Sequence, residues 1–465
     1  MKIPNQLKWR LIWAGLAFVV IGCSRKAPES LPVAYVGDRT ISSEMFAFTY
    51  ELSPRSITEQ PPERARQTVL NNLINRILLA QEAEHRGLDQ NSRLQELENY
   101  YLRQAVNREL YRQQVREKVI VTEDEEREAF NHSKKTLWVR HFVADDTIAA
   151  DRIIAGENHA PHIPIHPWMV TKKMAQNELA DSIGWNTVDP VIEAILYQLK
   201  PGQFSRPVFY GKKYHVFHLI DVIQNVMKLE SDFQQQRESI HGVLKRRKEK
   251  ALSIAFVYAR LTPEHLVIKA TVLNQLTDFL WSHKPAPVKN GQLDFIPEEE
   301  IRLVDAGEGN LAGQVLAVYR SGEMTVRKFL FLYKVNPQKM DFDDRTSVLD
   351  AIQNMVGFYV RDRVLSDYGL SLGLDSKPEV RQDFQEARDR LLAELLQHQM
   401  VASVLKENLP ESTMSARCRS LQNALLDSLR QNTIITTDTS ALMAVYTSDE
   451  GMSRKMDFTA IRTQQ

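Results

Sequence analysis

With 465 residues the chain is too long for one ordinary core, so length alone calls for several domains. A composition of 43% hydrophobic and 25% charged residues is globular rather than disordered. Lys plus Arg equals Asp plus Glu, 59 of each, which excludes a net field that would recruit nucleic acid or one sign of substrate. Two cysteines, Cys23 and Cys418, exclude both a disulfide framework and a CxxC motif.

Lys2, Lys8 and Arg10 form a basic head, and Leu11 to Ile21 carry no charge. That apolar run of 11 residues suits a signal peptide and is too short to span a bilayer. It ends in Val20-Ile-Gly-Cys23, which resembles the bacterial lipobox. The resemblance implies removal of residues 1–22 and acylation of the Cys23 thiol and of the new amine. Several acyl chains anchor durably where one does not. The expectation is therefore a cell-envelope protein, lipid-anchored at Cys23 on the periplasmic or extracytoplasmic side of a membrane. No later stretch reads as a transmembrane helix.

After a polar spacer, Pro32-Val-Ala-Tyr-Val-Gly-Asp-Arg-Thr-Ile-Ser42 reads as a hairpin turning at Gly37-Asp38. A helix over Ser43 to Tyr50 follows, with Met45, Phe46 and Phe48 as its apolar side. From Pro62, Val69, Leu70, Leu73, Ile74, Ile77 and Leu78 make a helical stripe that stops near Gly87, a C-cap residue. A charge-rich helix from about Arg93 to Val115 carries Leu94, Leu97, Tyr101 and Leu110. It leads to Val119 to Asp124, read as a short strand and a helix start.

The order returns later in the chain. Ala317 to Val326 matches the hairpin, with Gly322 over Gly37 and Thr325 over Thr40, both 285 apart (322 − 37, 325 − 40). Val348, Leu349, Ile352 and Val356 repeat the stripe of Val69, Leu70, Leu73 and Ile77. Gly373-Leu-Asp375 repeats Gly87-Leu-Asp89, a charged helix follows, and Ile434 to Asp438 echoes Val119 to Asp124. This pattern resembles the N-terminal chaperone domain of SurA-like and PrsA-like foldases, whose opening motif stands here as Val36-Gly-Asp-Arg-Thr-Ile-Ser-Ser-Glu-Met-Phe46.

From Trp138 to Ile223 charged helices give way to strands and turns. Arg140-His-Phe-Val143, Asp181-Ser-Ile-Gly-Trp185, Leu199 to Val208 and Lys213-Tyr-His-Val-Phe217 stand in one order over about 80 residues. They resemble the four motifs of the parvulin rotamase domain. The resemblance implies a four-stranded antiparallel sheet with flanking helices and a shallow groove for an X-Pro segment. Such a groove needs no nucleophile, metal or cofactor: it must grip the ring and stabilise a twisted amide. By the same resemblance His141 and His215 are the paired histidines, Ile183 is a pocket residue, and Trp185 and Ile192 complete the substrate-binding set. The stretch from Trp185 to Ile192 is several residues short of the family pattern, so the pocket Met has no counterpart. Met174 stands where a polar Cys or Asp is expected.

Other clusters carry less. His159, His162 and His166 are separated by Pro161 and Pro164, which favours a loop over a helix with metal-ligand spacing. Lys245-Arg-Arg-Lys248 and Glu298-Glu-Glu300 read as a solvated helix face and a solvated turn. The organisation expected is α+β and multidomain: signal peptide 1–22, a SurA-N-like helical domain 23–136, a parvulin-like domain 137–225, a connecting helix and linker 226–300, and a second SurA-N-like helical domain 301–465. The second lobe is expected to fold against or beside the first, with Ile434 to Asp438 and Leu442, Met443 and Val445 completing it. The resemblance implies as partners unfolded polypeptides with X-Pro bonds and the membrane reached through Cys23, but no nucleic acid. Three functions stay open: a prolyl isomerase with chaperone action, a non-catalytic holdase or assembly-scaffold lipoprotein, and a structural partner of one surface complex.

Overall fold

The structure, a computed structural model, describes residues 32–156, 160–166, 171–173, 179–224, 230–283, 311–338, 340–342, 344–407 and 410–445. Residues 1–22, Cys23, His159, Met174 and Glu298 to Glu300 lie outside the described residues. In chain order the elements are β1 (Pro32–Val36), β2 (Arg39–Ser42), α1 (Ser43–Glu51), α2 (Arg55–Thr58), α3 (Pro62–His85), α4 (Ser92–Gln114), α5 (Glu123–Ser133), β3 (Lys135–Ala144), α6 (Thr147–Ile154), β4 (Thr171–Lys173), β5 (Leu179–Ile183), α7 (Pro190–Leu196), β6 (Val208–Tyr210), β7 (Lys213–Gln224) and α8 (Glu230–Leu261). They continue with β8 (Val267–Ile268), α9 (Ala270–Ser282), β9 (Val315–Tyr319), β10 (Gly322–Thr325), α10 (Val326–Val335), α11 (Arg345–Ser371), α12 (Pro378–Leu405), α13 (Glu411–Asn432), β11 (Ile435–Thr437) and α14 (Thr439–Ala444). The fold is α+β, helical with three antiparallel sheets among the described residues, and no described helix is long and apolar enough to cross a membrane. Among the described residues the chain forms two compact units, residues 32–89 with 389–445, and residues 90–388.

In the first unit, Gly37 takes φ +59° in the turn between β1 and β2, a conformation glycine reaches without strain. The Ser42 hydroxyl accepts the Met45 amide and starts α1. Met45 and Phe46 then bury against the α3 stripe of Val69, Leu70, Leu73, Ile74, Ile77 and Leu78, and Gly87 ends that stretch at φ +73°. A third strand completes the hairpin: β11 pairs antiparallel with β1, Tyr35 opposite Thr436. Asp438 caps α14, whose Leu442 is buried, and Arg66 of α3 donates to the carbonyls of Leu442 and Val445, both at 2.9 Å.

In the second unit the hairpin β9–β10 and the helices α10 and α11 repeat β1, β2, α1 and α3, but in a register that differs from the sequence reading. Thr325 caps α10 as Ser42 caps α1, so the hairpin offset is 283 (325 − 42), not 285. Ile41 and Phe46 fall on Met324 and Phe329, and all four are buried. The turn here is Arg320-Ser321, and Gly322 opens β10. In the helix the left-handed glycines fix an offset of 286 (373 − 87), not 279 (348 − 69). Buried Val69, Leu70, Ile74, Leu78 and Leu79 then fall on buried Met355, Val356, Val360, Val364 and Leu365.

The partner of Ile434 to Asp438 is also different. Residues 119–122 form no strand; Thr122 is the N-cap of α5, in a capping box with Glu125. The counterpart of β11 is β8, which pairs with β9 as β11 pairs with β1, and which a helix follows in the same way. Around this second hairpin, Leu276 and Leu280 of α9 join Leu316, Phe329, Ile352 and Val356 in one core. Helix α4 packs on α11, with Val106 and Leu110 against Leu365, and Arg103 pairs with Asp367 at 2.6 Å. Gly369 of α11 meets Val106 so closely that an added Cβ would collide with it.

Between α5 and α8, in the same unit, lies an antiparallel sheet in the order β4-β5-β3-β7-β6. It has five strands where four were expected, because β4 adds an edge: Thr171, Lys172 and Lys173 pair with Asp181, Ala180 and Leu179. The basic run of α8 is not simply solvated. Arg247 holds Glu193 of α7 at 2.7 Å and Lys248 holds Glu125 of α5 at 2.5 Å, while Glu126 takes Arg237 at 2.8 Å and His241 at 2.7 Å. The β11 contacts make a truncation informative. Removing residues 410–465 should lower the melting temperature of the unit built on β1, β2, α1 and α3 and increase dye binding to exposed apolar surface, while the five-stranded sheet keeps its hydrogen-exchange protection. A full-length melting curve for the truncated chain would show β11 to be dispensable.

Candidate functional site

His141 stands on β3, the central strand of the five, and His215 on the neighbouring β7. Alternation along both strands puts them on one face, together with Leu137, Val139, Phe217 and Leu219. The His141 Nε2 and His215 Nδ1 atoms are 2.8 Å apart, and the rings are nearly parallel, 4° between planes. Phe217 stacks on His141 with centroids 5.1 Å apart.

The hydrogen-bond partners determine the tautomers. His141 Nδ1 lies 2.8 Å from the Ile163 carbonyl, which can only accept, so this nitrogen carries the proton. Nε2 then accepts from His215 Nδ1–H. His215 Nε2 lies 2.9 Å from a second carbonyl, that of Tyr210. Three hydrogen bonds in this row require three N–H groups, and two neutral imidazoles supply two. The row is complete only when an added proton sits on His215 Nε2, at the exposed end. His141, buried at 5% exposure, has both nitrogens committed. Burial is also what pushes His141 down to about 4, with the Ile163 carbonyl opposing and His215 adding to the shift.

Beneath the pair is a second row that the sequence reading did not anticipate. The His141 backbone amide donates to His162 Nδ1 at 3.1 Å, so the His162 proton is on Nε2, 3.2 Å from Asp181 Oδ1. Asp181, fully buried, also accepts from the Ile165 amide at 2.9 Å and the Thr171 hydroxyl at 2.7 Å. Through His162 this β5 carboxylate reaches the backbone of His141. An aspartate alternating with Ile183 in a strand that is otherwise buried at Ala180 was the available signal. His162 is thus a structural hydrogen-bonding residue, and no three His, Cys, Asp or Glu side chains converge as metal ligands among the described residues.

The substrate residues expected beside the histidines are distributed differently. Ile183 is fully buried and Ile192 is 5% exposed; both belong to the core beneath α7, with Leu137, Val139, Leu196 and Phe217. They support the histidine face from inside and present no apolar wall to a ligand. Trp185 packs instead with Phe130 and Phe233, beside Arg247 of α8. At the β6 edge Tyr210 stands edge-on to His215, while the exposed Phe209 pairs with Tyr214 on the other face.

No family model matches the chain, and no curated protein does. Solved structures similar to it are PrsA-type and SurA-like foldases and chaperones. One is the peptidylprolyl isomerase PrsA of Bacillus cereus, at 21% identity over 45% of this chain and 74% of that one, with a TM-score of 0.22. Another is PrsA of Bacillus anthracis, at 15% identity over 45% of this chain and 90% of that one, TM-score 0.21. A third is a SurA-like chaperone of Campylobacter jejuni, at 17% identity over 56% of this chain and the whole of that one, TM-score 0.16.

The depressed His141 sets a pH dependence. The unfolded chain takes up this proton near 6.5 and the folded sheet only near 4. Its stabilising contribution is therefore complete above 6.5 and is lost as pH falls toward 4, by no more than about 3 kcal/mol. Urea unfolding of the sheet at pH 7 and pH 4.5 should show this loss, and His141→Asn should flatten it. An unchanged slope in the variant would place the titrating group elsewhere.

Proposed function

We propose that this chain is an exported, lipid-anchored protein that binds unfolded polypeptides, with a parvulin-type sheet domain in which holding outweighs catalysis. The observation that carries the reading is the His141–His215 pair, bridged at 2.8 Å on the face of a five-stranded sheet. Rotation about an X-Pro bond needs an apolar grip on the ring and matched hydrogen bonds to the twisted amide. His141 has no nitrogen to offer such an amide and acts as a positioning residue. His215, at the edge beside Tyr210, is the less buried member of the pair, and a client would have to replace the Tyr210 carbonyl to reach its Nε2. The grip is what is missing: Ile183 and Ile192 are core residues. That favours the holdase alternative over an efficient isomerase.

A protease-free assay of cis-to-trans conversion in a short X-Pro peptide tests both halves. Turnover should be weak or absent, and changed little by His215→Ala, while the same protein suppresses aggregation of an unfolded client. Fast, His215-dependent turnover would overturn the holdase reading, and failure to suppress aggregation would overturn the chaperone reading. Attachment is tested separately. Cys23→Ser should leave the precursor uncleaved and without diacylglycerol, and a wild-type mature protein free of acyl chains in its mass spectrum would remove the anchor.

A further inference from the structure

A crevice of about 370 Å³ opens between α5, α7 and α8, on the side of the domain where Trp185 lies. Its floor is aromatic. His132 and Tyr197 stack with centroids 4.1 Å apart, and the Tyr197 hydroxyl donates to the His132 carbonyl at 3.1 Å, which fixes the ring. Trp185 continues this floor. Burial lowers the proton affinity of His132 and raises that of the Tyr197 hydroxyl, so both rings are neutral near pH 7.

The walls carry three carboxylates and one cation, Arg247. Arg247 is neutralised by two bonds to Glu193, at 2.7 and 3.1 Å, and its guanidinium lies 5.4 Å from the Trp185 ring centroid. Glu125 is engaged by Lys248. Glu128, exposed on α5, has no hydrogen bond or ion pair with any described residue. The crevice therefore combines uncharged aromatic faces with one uncommitted negative charge at the rim. Such a combination suits a long cationic side chain, whose methylenes lie on rings while its head meets a carboxylate. Its volume is within the range of small-molecule pockets and large for one side chain with its backbone.

We propose that this crevice is a binding site for an arginine or lysine side chain of an extended polypeptide, with Glu128 as the ion-pair partner and Tyr197 and Trp185 as the aromatic floor. It is a different site from the histidine pair, and it rests on the chaperone reading only for the polypeptide nature of its ligand.

The test uses full-length protein and fluorescein-labelled Gly-Ser octapeptides that differ at one central residue: Arg, norleucine or Glu. Anisotropy titrations should rank Arg above norleucine above Glu. Glu128→Gln should weaken the Arg peptide up to about fivefold and leave the norleucine peptide unchanged, since it removes only an exposed ion pair, worth up to about 1 kcal/mol. Glu128→Lys should remove the preference entirely, and 300 mM salt should narrow it. Equal affinity for Arg and norleucine, an Arg preference indifferent to both variants, or no binding into the millimolar range would each overturn the assignment. Client aggregation is measured on the same samples. Suppression without an Arg preference overturns this site and leaves the chaperone reading intact, whereas an Arg preference without suppression does the reverse.

Discussion

A two-stranded hairpin and a short amphipathic helix are each marginal alone in water, and the organisation of this chain follows from that constraint. The hairpin β1–β2 is completed by β11, nearly four hundred residues downstream (435 − 36 = 399). The hairpin β9–β10 is completed by β8, which precedes it. In both cases a long helix leads into the short strand and another helix leaves it: α13, β11 and α14 in one, α8, β8 and α9 in the other. Closing such distant contacts costs loop entropy that grows only slowly with length, so a whole sheet domain can be inserted between them at small thermodynamic cost.

The same arrangement explains why α8 carries so many charges. It leaves the five-stranded sheet and leads to β8, so it must be held to the elements on which the sheet rests. Arg237, His241 and Lys248 face α5, and Arg247 faces α7. Glu193 and Glu126 are buried on these surfaces. A buried carboxylate without its partner is costly, so these pairs specify one seating of α8 even where each contributes little net stability. The composition of Lys245 to Lys248 alone could not distinguish this from a solvated face, because the partners lie on helices more than fifty residues away in sequence.

The periodic features were legible in the sequence, and the errors keep the period. The hairpin register read from the sequence was off by two residues and the helix register by seven. Two is the repeat of a strand and seven is nearly two helical turns, so both slips leave every apolar residue on its correct face. Periodicity identifies the buried face and is blind to translation along it. The caps Ser42 and Thr325 and the left-handed Gly87 and Gly373 fix the translation, because a cap has a unique place in its helix. Strand β8 was not legible: two residues, Val267 and Ile268, are too few to show alternation. His141 and His215 were found through motif order. His162 and Asp181 were missed because their partners come from a Pro-interrupted loop and a strand that periodicity does not connect.

The rows of hydrogen bonds around His141 bear on what a histidine in a sheet core can do. Burying an imidazole among Phe217, Val139 and Leu137 penalises its charged form, and each of its nitrogens requires a partner. Here Ile163 and His215 meet both requirements, while His162 and Asp181 anchor the backbone at the same residue. A residue so fully engaged is rigid, and it holds His215 in place through the Nε2–Nδ1 bond. Proton counting places the row's one missing hydrogen on His215 Nε2, which faces the Tyr210 carbonyl. The geometry therefore distinguishes the two histidines: His141 braces the central strand from a buried position, and His215 joins it to the β6 edge through the Tyr210 carbonyl. Bonds of this kind stabilise a sheet whether or not the face above them binds anything, so the histidine pair by itself is evidence of packing, and the exposure of the residues around it decides what chemistry the face can do.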